Sequence, residues 1–366
     1  MNNCYDVIIV GGGTAGLMLA RELGSLQHKV LVLDRKKSLL EFSFNTLGTF
    51  MDVSDFKLSE EVIAQKVDTA VIHSKFLKEK LAAKVCILDK KKVHQELLAS
   101  IDKDYVDIQL GVHIKEINLS SNNNFSAVID KDGNEYVSTI FVDASGTNGV
   151  LSKKVGLLPV TTELATGVEY NVQYLGNKNE FHLMIGKDYQ GGYGWIFPLK
   201  NDRAIIGFGT FDKSMIKGLK QNLNAILELP AIQKLVLKDN DNVEGGSIPI
   251  TPVIDTFVKG NLVCVGDSVS QVNPIVGEGY KFIFESAIMA SEAISESLHK
   301  NDLQLLRAYE NKWAKRFLLN YRRSKIAQRR IFSLSKNDFL IAFGMILSKF
   351  RSNKKNIRTL SGEYDV

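Results

Sequence analysis

Cysteine is scarce in this chain. Three occur in 366 residues, at Cys4, Cys86 and Cys264, with no CxxC pair and no Cys/His cluster around them. An odd number at such wide spacing argues against a disulfide framework and against a zinc site, so the reducing cytosol is the expected compartment. Cys86 and Cys264 each sit in an apolar stretch, where burial is the expectation. The six histidines show no ligand-like clustering, and no metal centre is expected. Long apolar runs are missing as well. Residues 7–10 run straight into glycines and are too short for the core of a secretory signal. Residues 339–347 fall far short of the roughly 20 residues that span a bilayer. The expectation is a cytoplasmic protein, at most peripheral at a membrane. Repeats and low-complexity tails are also lacking. The net charge of +5 is a mild excess that does not by itself suggest nucleic acid.

What remains is an ordinary globular composition, 45% hydrophobic and 24% charged. The length suits two packed domains. Residues 5–10 (YDVIIV) form an apolar, β-branched run, as in a buried parallel strand. GGGTAG follows, then a segment of helical spacing, and KVLVL at 29–33 is a second buried strand ending at Asp34. This is a βαβ opening. Residues 55–84 are mixed and lysine-rich. Residues 90–101 read as an amphipathic helix. From 105 to 142 the pattern alternates as in antiparallel strands, with a hairpin turn at Asp132-Gly133. A polar turn and short helix are expected over 143–156, further strands over 164–211, helix over 213–238, and a crossover over 246–255. Another buried strand falls at 262–265, and helices fill most of the chain from 285 on. The fold class is therefore α/β: a Rossmann-type nucleotide domain on a parallel sheet, an antiparallel-sheet substrate domain inserted in it, and C-terminal helices. The expected division assigns 1–44, 80–160 and 258–300 to the nucleotide domain, 45–79 and 161–257 to the substrate domain, and 301–366 to the helical region.

Gly11, Gly13 and Gly16 form G-x-G-x-x-G between a strand and a helix. The first glycine makes the tight turn, the second lets backbone approach a pyrophosphate, and the third lets the helix pack on the strand. Thr14 and Ala15 open that helix, whose unpaired amides and positive dipole suit the pyrophosphate. Asp34 stands where a carboxylate accepts hydrogen bonds from ribose hydroxyls, and it disfavours a 2′-phosphate there; the adjacent Arg35 softens that argument. The triplet does not separate FAD from NAD. Residues 262–279 (LVCVGDSVSQVNPIVGEG) do: a buried strand delivers Gly266-Asp267, and a loop with Pro274, Gly277, Glu278 and Gly279 opens a helix. An acid at a strand end can hold a ribityl chain, and a glycine-rich helix start can put amides against the flavin edge where charge accumulates on reduction. NAD has no such requirement, so FAD is the expected cofactor.

These residues carry a family resemblance. GDSVSQVNPIVGEG resembles the G-D-A-A-x-x-x-x-P-x-x-G-x-G signature of the geranylgeranyl reductase group, within the p-hydroxybenzoate hydroxylase-like flavoproteins. YGWIFP at 193–198 resembles the Y-x-W-x-F-P segment that lines that group's substrate cavity. CILDKKKVHQEL at 86–97 resembles a stretch with an arginine near the FAD, where Lys90 stands here as a point charge. DASG at 143–146 resembles an element packed against the cofactor. The resemblance covers the chain to about residue 330. It departs at SFNTLG, 43–48, where archaeal-lipid reductases often carry a cysteine-glycine element, and at Tyr280-Lys281, where small residues are usual. YGWIFP also resembles an element of flavin-dependent halogenases, although their G-E-S element is missing.

In such proteins the flavin carries the hard chemistry, so neither a triad nor a metal is expected. Tyr193 and Trp195 are the catalytic candidates, since alternate strand residues share a face, and Phe197 extends that face. Tyr193 is a candidate proton donor, with core packing of both aromatics the competing reading. Asn45, Glu278 and Lys281 are candidate polar groups near the flavin; a surface role for the last two is equally open. Residues 311–330 carry eight basic residues and no acid, with Trp313, Phe317 and Tyr321 on one side. That helix either lies on an anionic bilayer or docks on the body with a solvated basic face. The reading is an FAD-dependent oxidoreductase acting on carbon–carbon bonds of a hydrophobic, isoprenoid-like substrate, fed by an external donor such as NAD(P)H, ferredoxin or a reductase, and without a nucleic-acid partner. A monooxygenase or halogenase-like enzyme is the alternative, and a non-redox, cyclase-like flavoprotein the next.

Overall fold

The computed structural model describes residues 5–159, 163–189, 191–250, 254, 256–275 and 277–363. Cys4 and part of the expected crossover, 251–253 and 255, lie outside them. Two sheets organise the chain. The first has six strands in the order Val258–Lys259, Leu262–Cys264, Ser138–Asp143, Tyr5–Val10, Val30–Asp34, Val106–Leu110. Its pairs are parallel except the outermost, Val258–Lys259 with Leu262–Cys264. Continuous apolar runs such as VLVL are required here because helices cover the sheet. Helix Thr14–Ser25 packs on helix Tyr280–Lys300, and Val7, Ile8, Leu17, Val32, Phe282 and Phe284 are all closed to solvent.

The second sheet has nine strands. Its path runs Val236–Leu237, Leu164–Tyr174, Arg203–Thr210, Gly192–Pro198, Glu180–Met184, Ile63–His73, Lys78–Asp89, Thr46–Thr49, with Val243–Pro249 also paired to Leu164–Tyr174. One pair is parallel, Glu180–Met184 with Ile63–His73; the others are antiparallel. The Asp132-Gly133 turn joins Phe125–Asp130 to Glu135–Tyr136 in a separate three-stranded sheet, with Gly133 at φ +85°.

Several expectations are corrected. The stretch 105–142 is not antiparallel throughout: its ends, Val106–Leu110 and Ser138–Asp143, are parallel strands of the first sheet, and only the middle forms antiparallel pairs. The division at residue 80 cuts strand Lys78–Asp89, which pairs along its length with Ile63–His73 and belongs to the second sheet. The lysine-rich texture of 55–84 hid that hairpin: Lys78, Lys80 and Lys84 point outward, alternating with buried Glu79, Leu81, Ala83 and Val85. The crossover over 246–255 begins as strand Val243–Pro249. The helix over 213–238 breaks into a 3₁₀ turn, Lys213–Gly218, and helices Leu219–Leu227 and Pro230–Gln233, with Val236–Leu237 a strand. Cys264 is buried as expected, whereas Cys86 is half-buried.

The two readings of 311–330 separate clearly. Trp313, Phe317 and Tyr321 are sealed in the core of the first sheet. Lys312 pairs with Glu292, and Arg316 with Glu285 and Glu363. The segment is docked on the body.

Candidate active site

Two cavities meet at the join of the sheets. The first, about 390 Å³, runs along the carboxyl ends of the parallel strands. Gly11, Gly13, Thr14, Ala15, Asp34, Arg35, Lys90 and Asp267 all line it. Gly11 sits at φ +112°, and a Cβ there would stand 2.3 Å from the Ala144 carbonyl oxygen. A Cβ on Gly16 would stand 1.9 Å from the Gly11 carbonyl oxygen, so Gly16 serves the packing behind the groove. Around Gly13 there is open space. Helix Thr14–Ser25 has no side-chain cap at its N-terminus among the described residues and no acid in its first turn. Those amides and that space fit a pyrophosphate. Asp34 is aimed by two backbone amides, Gly12 N–H to Oδ2 and Lys36 N–H to Oδ1, both at 2.7 Å.

The DASG element builds the opposite wall. Asp143 accepts hydrogen bonds from the Ser145, Leu151 and Ser152 amides and so folds the loop, while Ala144, Ser145 and Gly146 face the groove. Sequence reading missed His94, whose spacing carried no ligand signal. Its Nδ1 lies 3.1 Å from the Leu39 carbonyl, which can only accept, so Nδ1 carries the proton and Nε2 accepts from the Thr14 hydroxyl. Burial holds the His94 pKa down at about 4, keeping the ring neutral.

The second cavity, about 250 Å³, shares Lys90, Asp267, Tyr280 and Ile283 with the first. Asp267 therefore stands at the join. Its Oδ1 is sealed from solvent and has no hydrogen-bond partner among the described residues. Burial pushes its carboxyl up to about 6, against the pull of Lys90. A buried acceptor left unpaired in this way fits a polyol ligand that brings hydroxyl donors. Lys90 is flanked by Asp267 and Glu169, and burial lowers its pKa while those carboxylates oppose the shift.

Tyr193, Trp195 and Phe197 project from strand Gly192–Pro198 into this cavity, on one face as the alternation requires. The Tyr193 and Trp195 ring centroids are 5.7 Å apart and those of Trp195 and Phe197 6.3 Å. Trp195 lies over a glycine floor: a Cβ on Gly207 would stand 2.2 Å from its ring and one on Gly167 3.0 Å. Gly207→Ala should therefore displace the indole and cost about 1–3 kcal/mol by overpacking. A lowered melting temperature with a shifted tryptophan emission is expected; a variant unchanged in both would show that the floor has no such role.

Glu169, which sequence reading missed, faces the same cavity. Trp195 Nε1–H donates to its Oε2 at 3.2 Å, and its Oε1 has no partner among the described residues. Burial, reinforced by Glu244, raises its pKa to about 8. A signal did exist. Ala165, Gly167 and Glu169 share one face of strand Leu164–Tyr174, so a lone acid stands among small residues where a ring must lie.

Other predicted residues fall elsewhere. Gly277 and Gly279 line the second cavity. Gly266, at φ +76°, packs against Ala15, and the Pro274 carbonyl accepts from Gln328; neither is among the lining residues of these two cavities. Glu278 turns inward, accepting from the Thr49 hydroxyl (2.7 Å) and the Phe50 amide (3.3 Å), so it ties the loop to strand Thr46–Thr49 rather than facing a ligand. Asn45 is exposed and bonds Glu244, while its neighbours Phe44 and Thr46 line the wall. Lys281 pairs with Glu363 and with Glu285.

Comparison with known proteins agrees with this geometry. Residues 4–320 match the family described as an FAD binding domain. A digeranylgeranylglycerophospholipid reductase of Methanocaldococcus jannaschii is 26% identical over 95% of this chain and 92% of its own. The structure of a geranylgeranyl bacteriochlorophyll reductase-like protein from Thermoplasma acidophilum superposes with a TM-score of 0.84 at 21% identity, covering 99% of this chain and 96% of that one. A probable FAD-dependent monooxygenase from Pseudomonas aeruginosa shares the fold at TM-score 0.74 and 18% identity, over 93% and 99%. The match across most of its length, with a groove built for a dinucleotide and an unpaired acid at its inner end, places the chain in the FAD binding domain family as an FAD-dependent oxidoreductase.

Proposed function

We propose that this enzyme reduces carbon–carbon double bonds of a hydrophobic, isoprenoid-type chain with electrons from an external donor. The observation that carries the reading is the junction at Tyr193. That ring walls the second cavity and also a third, of about 280 Å³, lined by Ile72, Leu81, Leu183, Ile275, Ile341 and Met345. An apolar chain fits the lining of the third cavity, which has the Tyr193 ring in common with the aromatic face beside Asp267. The reductase names of the relatives from Methanocaldococcus and Thermoplasma support the same substrate class.

The groove residues Gly13, Thr14 and Asp34 would hold the adenosine and pyrophosphate of FAD, and Asp267 its ribityl chain. When bound, FAD supplies hydride-transfer chemistry. Saturating a double bond also needs one proton on the second carbon. Tyr193 is a weak source, because burial and the Glu278 carboxyl drive its pKa far above the ordinary range. Glu169 is the better one: protonated at neutral pH, aimed into the cavity, held by Trp195 and reprotonated from solvent after each turnover. Tyr193, Trp195 and Phe197 orient the chain and exclude water.

The test is an anaerobic incubation of the flavin-loaded protein with dithionite and an unsaturated polyprenyl lipid, read by mass spectrometry. The expected product gains two hydrogens per double bond. Product that forms only with oxygen, and contains it, would favour the monooxygenase reading.

A further inference from the structure

Helix Asp338–Ser348 breaks the rule for a surface helix. Only Asp338, Ile341 and Met345 face inward; the outward face carries Phe339, Leu340, Phe343, Ile346 and Leu347, with no charge among them. A helix apolar all round belongs in a core or in lipid, and this one has solvent on its outer side. Phe339 is 75% exposed, and Phe350, just past the helix, is 85% exposed. Phe76, at the tip of the hairpin Ile63–His73/Lys78–Asp89, packs against Phe339 with the rings tilted and centroids 4.9 Å apart, and widens the patch.

The rim is cationic. Lys75, Lys336, Lys349 and Arg351 are all exposed around it. From 311 to 362 the chain carries fourteen Lys and Arg and one acid, Asp338. That acid is buried, accepting from the Lys187 amide and lying 4.0 Å from Lys75. The preceding 310 residues hold 32 basic against 38 acidic residues, so the chain's positive excess lies in its C-terminal segment. A second copy of the chain would set two such rims against each other, and like charge opposes that. No helix among the described residues is long and apolar enough to cross a membrane. An apolar outer face and a basic border are what a helix needs to lie on an anionic surface.

We propose that helix Asp338–Ser348, with Phe76 and Phe350, seats the enzyme on an anionic lipid bilayer. The inner side of the helix, Ile341 and Met345, walls the third cavity. Docking thus sets that cavity against the acyl layer, from which an apolar chain can enter toward Tyr193 without crossing water. This last step rests on the isoprenoid reading; the docking does not.

The experiment is co-sedimentation of the holoenzyme with vesicles of phosphatidylcholine plus phosphatidylglycerol, against phosphatidylcholine alone. The wild type is expected to sediment with the anionic vesicles, less so at high salt. The triple variant Phe339→Ser, Phe343→Ser, Phe350→Ser should bind at least about tenfold more weakly, since three exposed rings would no longer be buried in lipid. All three side chains are exposed, so melting temperature and flavin content should stay at wild-type values. Lys336→Glu with Lys349→Glu should abolish the preference for anionic lipid. Wild-type protein that ignores both vesicles, or a triple variant that sediments like wild type, overturns the proposal. So does a lipid-free dimer that the triple variant dissolves, which would make the patch a self-association face. None of these readouts uses the substrate, so failure of the isoprenoid assignment would show separately.

Discussion

Asp267→Ala should emerge from purification largely free of flavin, while Lys281→Ala keeps it. The contrast follows from what each side chain already touches. Lys281 is spent on Glu363 and Glu285, away from both cavities. Asp267 holds a solvent-sealed oxygen with no partner among the described residues, at the point where the cavities join. A hydrogen bond to a charged group contributes about 1.5–3 kcal/mol, so its loss should weaken FAD binding by about 10- to 100-fold. The flavin-free protein should respond in the opposite direction. Burial raises the Asp267 pKa from 3.8 to about 6, so the folded state binds its proton more tightly than the unfolded one. The resulting stability is complete below pH 3.8 and is lost as pH rises through about 6. Above that range the carboxylate is a buried charge that Lys90 offsets only in part, and alanine relieves it. Flavin absorbance of the purified proteins and melting temperatures of their flavin-free forms at pH 5 and pH 8 are the measurements. Equal flavin retention in the two variants would mean that the ribityl chain is held elsewhere.

The parts of the site that were legible in the sequence are those whose constraint is local. Gly16 is readable because a Cβ there meets the Gly11 carbonyl of the same βα turn, and Gly11 because the turn itself demands its φ of +112°. Asp34 is readable because a strand end fixes where it points. Asp267 shares that logic. The grouping of Trp313, Phe317 and Tyr321 on one side of a helix is readable, while its docking on the body rather than on a bilayer is settled by the core they enter. What stayed hidden depends on partners distant in sequence. Glu169 becomes a cavity residue only when strand Gly192–Pro198 brings Trp195 over strands Leu164–Tyr174 and Arg203–Thr210. Glu278 looked like a flavin-loop acid, and its true partner, Thr49, is 229 residues away. The hairpin Ile63–His73/Lys78–Asp89 was blurred because its exposed lysines dilute the alternation. Residues 339–347 were weighed only as a membrane span, and their outward exposure could not be read without knowing which side the body covers.

Glu169→Gln should keep its flavin yet lose turnover by about 10²–10³-fold, the scale of a general acid removed from a reaction. Glutamine preserves the acceptor for the Trp195 indole N–H, so the ring should stay in place. What it removes is the proton. Burial and the neighbouring Glu244 hold the Glu169 pKa near 8, so wild-type turnover should fall as pH rises through about 8, while the residual rate of the glutamine variant is flat there. Chemical reduction of the bound flavin should proceed at wild-type rate in the variant, because the missing proton is needed by the substrate and not by the cofactor's electron uptake. Glu169→Asp, an acid on a shorter arm, should recover part of the rate together with a pH-dependent fall. The flavin-free protein gives a readout of the same carboxyl without any substrate. Its folded pKa lies above its unfolded 4.5, so wild-type stability should decline between pH 4.5 and about 8, and the glutamine variant should decline less. Full turnover in Glu169→Gln would remove this residue from the reaction and return the proton to Tyr193 or to water, even if the stability profile changed as described.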